Sequence, residues 1–193
     1  MPETAAQYIE RVLGYIEGRD ALQVQGATVR KLKKLLRKLT PKQLRWKPEP
    51  EKWSIGEILA HLADTEIVAS WRMRSVIAAN GATIQPFDQE AWAAAFAYGK
   101  RGAKQSLETF RVLRENNLAM LKTLKREHWE SYGMHLERGK ETLPHLTRMF
   151  AGHDVNHLMQ VERILARLKA IQPTSRAKVA QPKRAPAKKK KRK

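Results

Sequence analysis

Leu143, Leu146, Phe150, His153, His157, Val161, Ile164 and Leu168 recur at steps of three or four residues, which places all of them on one side of an α-helix. Six of these eight positions are apolar, so that side has to be buried along its whole length. A helix of some seven turns cannot hide such a stripe against a small sheet or a loop. It needs other helices of similar length beside it, which is the arrangement of a helical bundle.

Other segments supply those partners. Ser54 and Glu57 form a capping box, and Trp53 with Ile58 forms the apolar staple across it, so a helix starts here and runs to about Ala79, where Asn80 and Gly81 end it. An earlier helical region runs from about Glu3 to Leu39, bent near Gly14, Gly18 or Gly26, and Thr40 with Pro41 starts a further short turn. FDQEAWAAAFAYG reads as a short connecting helix. The next helix covers about Ala103 to Arg126, with Phe110, Leu113, Asn117, Met120 and Leu124 as its buried seam. A loop through Gly133 and Gly139 follows, and Thr142 caps the last helix, which tolerates Pro144 in its first turn and ends near Ile171. No segment alternates with period two for long enough to argue for a sheet. The expected fold is all-α, an antiparallel four-helix bundle over residues 1–172.

Composition narrows the chemistry. The absence of cysteine removes disulfides, thiolate metal sites, iron-sulfur clusters and a cysteine nucleophile, and it fits a cytoplasmic protein. No apolar run is long enough for a membrane span, and the first twenty residues do not resemble a signal peptide. The net charge of +19 is unevenly placed: residues 173–193 hold ten Lys and Arg and no acid, which leaves +9 on the rest. This Pro-, Ala- and Lys-rich tail is expected to be disordered. It serves either as a solubilising extension or as a weak, salt-sensitive contact for nucleic acid or another polyanion. The body carries no nucleic-acid recognition motif.

The histidines of the last helix stand out because they interrupt its apolar side. At a separation of four residues, His153 and His157 rise from one face close enough for both rings to reach a single ion. As buried imidazoles without partners they would each cost about 1 to 3 kcal/mol. His61 is the natural third ligand, since Ile58, Leu62, Thr65, Ala69, Met73 and Val76 put it on the inward side of its helix. Three neutral histidines leave coordination positions open for water or a substrate atom. His128, His135 and His145 fall in loops or at a helix start and read as surface residues. Asp64 and Asp154 are placed to accept the free N–H of a ligand ring or to be solvated helix charges. Gly152 either permits another helix to approach closely or is simply tolerated. Trp53, Trp71, Trp92 and Trp129 read as core and loop anchors.

The segments WSIGEILAHLADTE and TLPHLTRMFAGHDVNHLMQVERI, separated by 75 residues that contain a helix, resemble the DinB-like superfamily over roughly residues 5 to 171. That resemblance implies an antiparallel bundle of the YfiT-like type with one divalent metal ion, nickel or zinc, held by His61, His153 and His157. It also implies a small-molecule substrate and activation of a low-molecular-weight bacterial thiol, such as bacillithiol or mycothiol, for transfer to an electrophilic carbon. Two other readings stay open: a metal-binding stress-response module without catalysis, and a metal-dependent hydrolase. The latter is suggested by HDVNH, which puts Asp154 where HExxH proteases carry their base. A di-iron carboxylate site lacks the paired Glu-x-x-His motifs it requires. The choice between monomer and homodimer is left open.

Overall fold

A computed structural model describes residues 3–171, and the expected basic tail, 173–193, lies outside them. In chain order the elements are α1 (Ala5–Gly14), α2 (Ala21–Leu36), α3 (Pro41–Arg45), α4 (Ile55–Ala78), β1 (Ala82–Ile84), α5 (Gln89–Ala95), a 3-10 turn (Tyr98–Lys100), α6 (Ala103–Thr123), α7 (Arg126–Trp129), β2 (Tyr132–His135), β3 (Gly139–Thr142) and α8 (Leu143–Ile171). The four long helices α2, α4, α6 and α8 pack side by side as the bundle, and α1 lies across α8.

Local chemistry explains most of the boundaries. The Ser54 hydroxyl accepts from the Glu57 amide while the Glu57 carboxylate accepts from the Ser54 amide at 2.8 Å, the capping box expected at the start of α4. Thr142 caps α8 by accepting from His145 N at 3.2 Å. The first helical region is two helices rather than one bent helix. The chain leaves α1 through Gly18 at φ +67°, a conformation that glycine adopts without strain, and Asp20 then caps α2 by accepting from Gln23 N.

The loop expected between α6 and α8 contains structure that was not anticipated. β2 pairs in parallel with β1 and antiparallel with β3, in register Ile84 with His135 and His135 with Gly139. Burial does alternate from Ser131 to His135, but β2 itself has only four residues and includes a glycine, too short a run to be told from a loop. This small sheet caps one end of a bundle that is otherwise helical.

Two large apolar clusters and a small third one, Ile16, Val24 and Ala151, fill the core. Of the large ones, one centres on Leu32, Ile58, Leu62, Phe110, Val161 and Ile164, the other on Val12, Met73, Val76, Leu121, Leu146 and Phe150. Between them, at a similar level on every long helix, lie the buried polar residues: Gln25 and Thr28 on α2, His61, Asp64, Thr65 and Glu66 on α4, Arg114 and Asn117 on α6, and His153, Asp154 and His157 on α8. On α6 this shifts the buried line from the expected seam to Ser106, Phe110, Arg114, Asn117, Leu118 and Leu121, and leaves Leu113, Met120 and Leu124 half-buried. The bundle is thus cut across its middle by a polar layer.

Candidate metal centre

The polar layer has two parts. In the first, Arg114 uses all five of its N–H groups: two on Glu66, at 3.0 and 2.7 Å, two on Asp154, and one on the backbone carbonyl of Gln25 at 3.2 Å. Asn117 donates to Glu66 at 2.7 Å and accepts from Ser70 and Arg74. Asp154 is therefore occupied by an ion pair. It is neither a partner for a ligand ring nor a free base in the position of an HExxH glutamate. Asp64 is likewise taken, by Arg101 at 2.7 Å. Both aspartates are removed from the roles considered for them above.

In the second part, His61, His153 and His157 come together. Nε2 of His153 lies 2.9 Å from Nε2 of His61 and 3.1 Å from Nε2 of His157, and the ring centroids are 4.4 to 5.0 Å apart. All three rings are buried. Burial pulls His157 down to about 4, opposed by its hydrogen bond to Gln160, and burial followed by repulsion from neighbouring charge holds His61 and His153 well below the ordinary histidine value. At neutral pH the three rings carry no charge, and each offers one nitrogen lone pair.

Hydrogen bonding among the rings does not account for their arrangement. A neutral imidazole nitrogen has one proton or one lone pair, so Nε2 of His153 can satisfy only one of its two close neighbours. A shared cation satisfies all of them. Two nitrogens bound to one ion at about 2.0 to 2.1 Å stand roughly 2.9 Å apart at a right angle and roughly 3.4 Å apart at the tetrahedral angle, and both contacts of His153 fall in that interval. The residues present therefore fit a divalent metal ion.

The outer contacts of the rings are uneven. His157 donates from Nδ1 to Gln160 Oε1 at 2.9 Å, which turns its Nε2 lone pair toward the other two rings. Gln160 escaped the sequence reading, although its place three residues after His157 is the spacing that could have found it. Thr65 Oγ1 lies 3.5 and 3.4 Å from the two ring nitrogens of His61, aimed between them. Nδ1 of His153 is buried and without a partner.

The surroundings leave the centre accessible. A cavity of about 360 Å³ reaches His61 and His153, walled by Ala5, Tyr8 and Ile9 of α1, by Phe87, and by Met149 and Phe150 of α8. A second cleft of about 290 Å³ reaches His157 beside Trp53 and Gln160. The wall from α1 depends on Gly152. A Cβ there would stand 2.0 Å from the Val12 carbonyl oxygen, so only glycine lets α1 lie against α8 next to His153. Trp53 packs on the His61 ring at 4.9 Å and Trp92 on Phe87 at 4.9 Å. Trp71 departs from the expected anchoring role and is 71% exposed. His135 is buried rather than on the surface, with Nδ1 accepting from Glu137 N and Nε2 unpartnered, while His128 and His145 are half-buried.

Comparison with known proteins agrees with this architecture. YfiT from Bacillus subtilis, described as a probable metal-dependent hydrolase with an unusual four-helix bundle topology, superposes with a TM-score of 0.72 at 20% identity, over 86% of this chain and 90% of YfiT. A DinB-like protein from Bacillus subtilis, YjoA, superposes with a TM-score of 0.53 at 13% identity, over 77% and 92% of the two chains. In sequence, the Oceanobacillus iheyensis protein named "Putative metal-dependent hydrolase OB0782" is 25% identical over 115 residues, which span 60% of this chain and 66% of that relative. The profile of the DinB superfamily matches residues 26–161, a stretch that holds all three histidines and most of the bundle. The chain belongs to the DinB superfamily.

Proposed function

We propose that this protein is a metal-dependent enzyme in which His61, His153 and His157 hold one divalent ion, nickel or zinc, and that it acts on an electrophilic small molecule with a low-molecular-weight thiol or water as nucleophile. The observation that carries this reading is the convergence of three uncharged, buried Nε2 atoms, 2.9 and 3.1 Å apart along the chain of contacts, beside a cavity large enough for a small molecule. When bound, the ion lowers the pKa of the nucleophile and so supplies it in ionised form at neutral pH.

The chain's own residues do the rest. Gln160 fixes the tautomer of His157, and Trp53 and Phe87 flank the His61 ring and hold it inward. The side chains of Ile9, Met149 and Phe150 give the cavity an apolar wall beside the histidines. A chain without cysteine contributes no thiol of its own, in keeping with a thiol brought in as co-substrate. Water as nucleophile is the second reading, favoured by the hydrolase descriptions of the two relatives. A cytoplasmic location is part of the proposal. Among the described residues, no helix is long and apolar enough to cross a membrane.

Elemental analysis of purified protein tests the site: one ion per chain is expected, and none in a His153→Ala, His157→Ala double variant. Equal, negligible metal in both defeats the proposal. Screening the loaded protein with bacterial thiols plus electrophiles, and separately with simple esters and amides, then separates thiol from water.

A further inference from the structure

Arg72 is a buried cation with no acid in contact: Glu141 attracts it from a distance but is paired with Arg138, which repels it. Arg72 is 7% exposed, and among the described residues it forms no ion pair within 4.0 Å. Its single hydrogen bond runs from Nη2 to the backbone carbonyl of Gln85, which leaves most of the five guanidinium N–H groups unused. Burial lowers its pKa to about 10, so it stays charged at neutral pH. Its unused nitrogens are not sealed off, so an acceptor entering the cavity can reach them.

Its position shows where that acceptor would come from. Arg72 lines the same cavity as His61 and His153. His61, Thr65 and Arg72 follow one another along the inner side of α4, and Thr65 lines the cavity between them. The other charges at this wall do not cancel Arg72. Arg138 is held by Glu141 at 2.7 Å, and Glu137 is the one acid lining the cavity. The rest of the lining is largely aliphatic and aromatic.

From this geometry we infer that Arg72 is the specificity residue of the site and binds a carboxylate of the substrate, whose apolar body lies along the cavity with its reacting end at the histidine cluster. A planar guanidinium matches a carboxylate through paired N–H bonds. With one free guanidinium and apolar walls, the cavity suits a single carboxylate on an apolar body better than a polyphosphate. The chain itself gives the spacing. His61 and Arg72 are eleven residues apart on α4, about 16 Å along its axis, more than their two side chains can close between them. The carboxylate and the reacting atom are accordingly separated by several bonds, not by one or two.

This inference deepens the proposed function and rests on it for the reacting end alone, so the test has two arms. In the first, cobalt(II)-loaded protein is titrated with 6-mercaptohexanoate and with 6-mercaptohexanamide, following the visible spectrum of the cobalt. The acid is expected to bind at least tenfold more tightly than the amide, with that advantage lost in Arg72→Gln and partly kept in Arg72→Lys. Mercaptoacetate, too short to span the cavity, shows no advantage over mercaptoacetamide. In the second arm, metal-free protein is titrated calorimetrically with octanoate and octanamide, and a preference for the acid that depends on Arg72 is expected.

Equal affinity of acid and amide in the unaltered protein overturns the inference, as does a preference that survives in Arg72→Gln or one equally large for mercaptoacetate. Should Arg72→Gln fail to fold, the acid-to-amide comparison in the unaltered protein and in Arg72→Lys still decides. Absence of a cobalt spectrum together with an Arg72-dependent preference for octanoate sinks the metal reading and leaves Arg72 standing. Cobalt binding with no acid preference in either arm does the reverse.

Discussion

Two polar groups share the middle of this bundle and are built on opposite principles. Around Arg114 every donor has an acceptor: Glu66, Asp154, Asn117 and the Gln25 carbonyl close the network on itself. Around His153 the count fails, because three neutral rings converge with fewer hydrogen bonds than contacts, and Nδ1 of His153 has none at all. The first group needs nothing from outside to be stable. The second is complete only with a ligand, and the two meet in sequence at His153 and Asp154. Burial of polar side chains therefore marks function here only where the polar groups are left unsatisfied.

The largest effect expected from this contrast is at Arg114. Replacing it with Met strands Glu66 and Asp154 as buried acids and should cost about 3 to 5 kcal/mol in chemical denaturation. Exchanging all three for apolar residues of similar volume should recover most of that loss. A small loss in the single variant would mean that the network is not closed as described.

The histidine cluster should behave in the opposite way. His153→Ala is expected to leave the stability of metal-free protein within about 1 kcal/mol of the original, since it removes a ring that is not fully hydrogen-bonded. Added metal should stabilise the unaltered protein by about 2.7 kcal/mol at a hundredfold excess over its Kd and the variant not at all. Thermal unfolding with and without metal measures both. Equal stabilisation of the two proteins would erase the distinction between the clusters.

At the boundary between α1 and the site, Gly152→Ala should cost about 2 kcal/mol, because the added methyl meets the Val12 carbonyl and α1 must move off α8. Faster amide exchange in α1 than in α6 would identify which helix has moved.

His135 supplies the smallest and most discriminating effect. It too has a buried nitrogen without a partner, but it stands apart from the other histidines, so its replacement by Gln should leave metal content unchanged. Its pKa is lowered, first by burial and then by Arg138, so the unfolded chain takes up the proton before the folded one does. Stability therefore falls as pH drops below about 6.5, the unperturbed histidine value, and His135→Gln should lessen that fall. Unfolding midpoints at pH 7 and pH 5 for the two proteins test the sign.

What the sequence made legible follows from periodicity and short-range chemistry. The stripe of α8, the capping box of Ser54 and Glu57, and the inward register of His61, His153 and His157 are all decided within a few residues of each other, where the geometry of a helix leaves little choice. The strands were not legible because each is only three or four residues long, and β1 owes its pairing to β2 some fifty residues away. Arg114 was missed for a related reason. A charged residue reads as solvent-facing until its acids are known to be Glu66 on α4 and Asp154 on α8. Trp71 erred in the other direction, since a large apolar ring reads as buried unless the packing leaves it outside.

By itself, then, the sequence determined that long amphipathic helices must pack as a bundle and that two helices each present histidine to the interior. Those properties depend on rise and rotation per residue, which are the same in any surroundings. Only the tertiary structure decided which buried polar groups satisfy one another and which are left to bind something else. Hydrogen bonds and ion pairs between helices depend on distances that the order of residues does not contain, and it is these that separate Arg114 from Arg72 and Asp154 from His153.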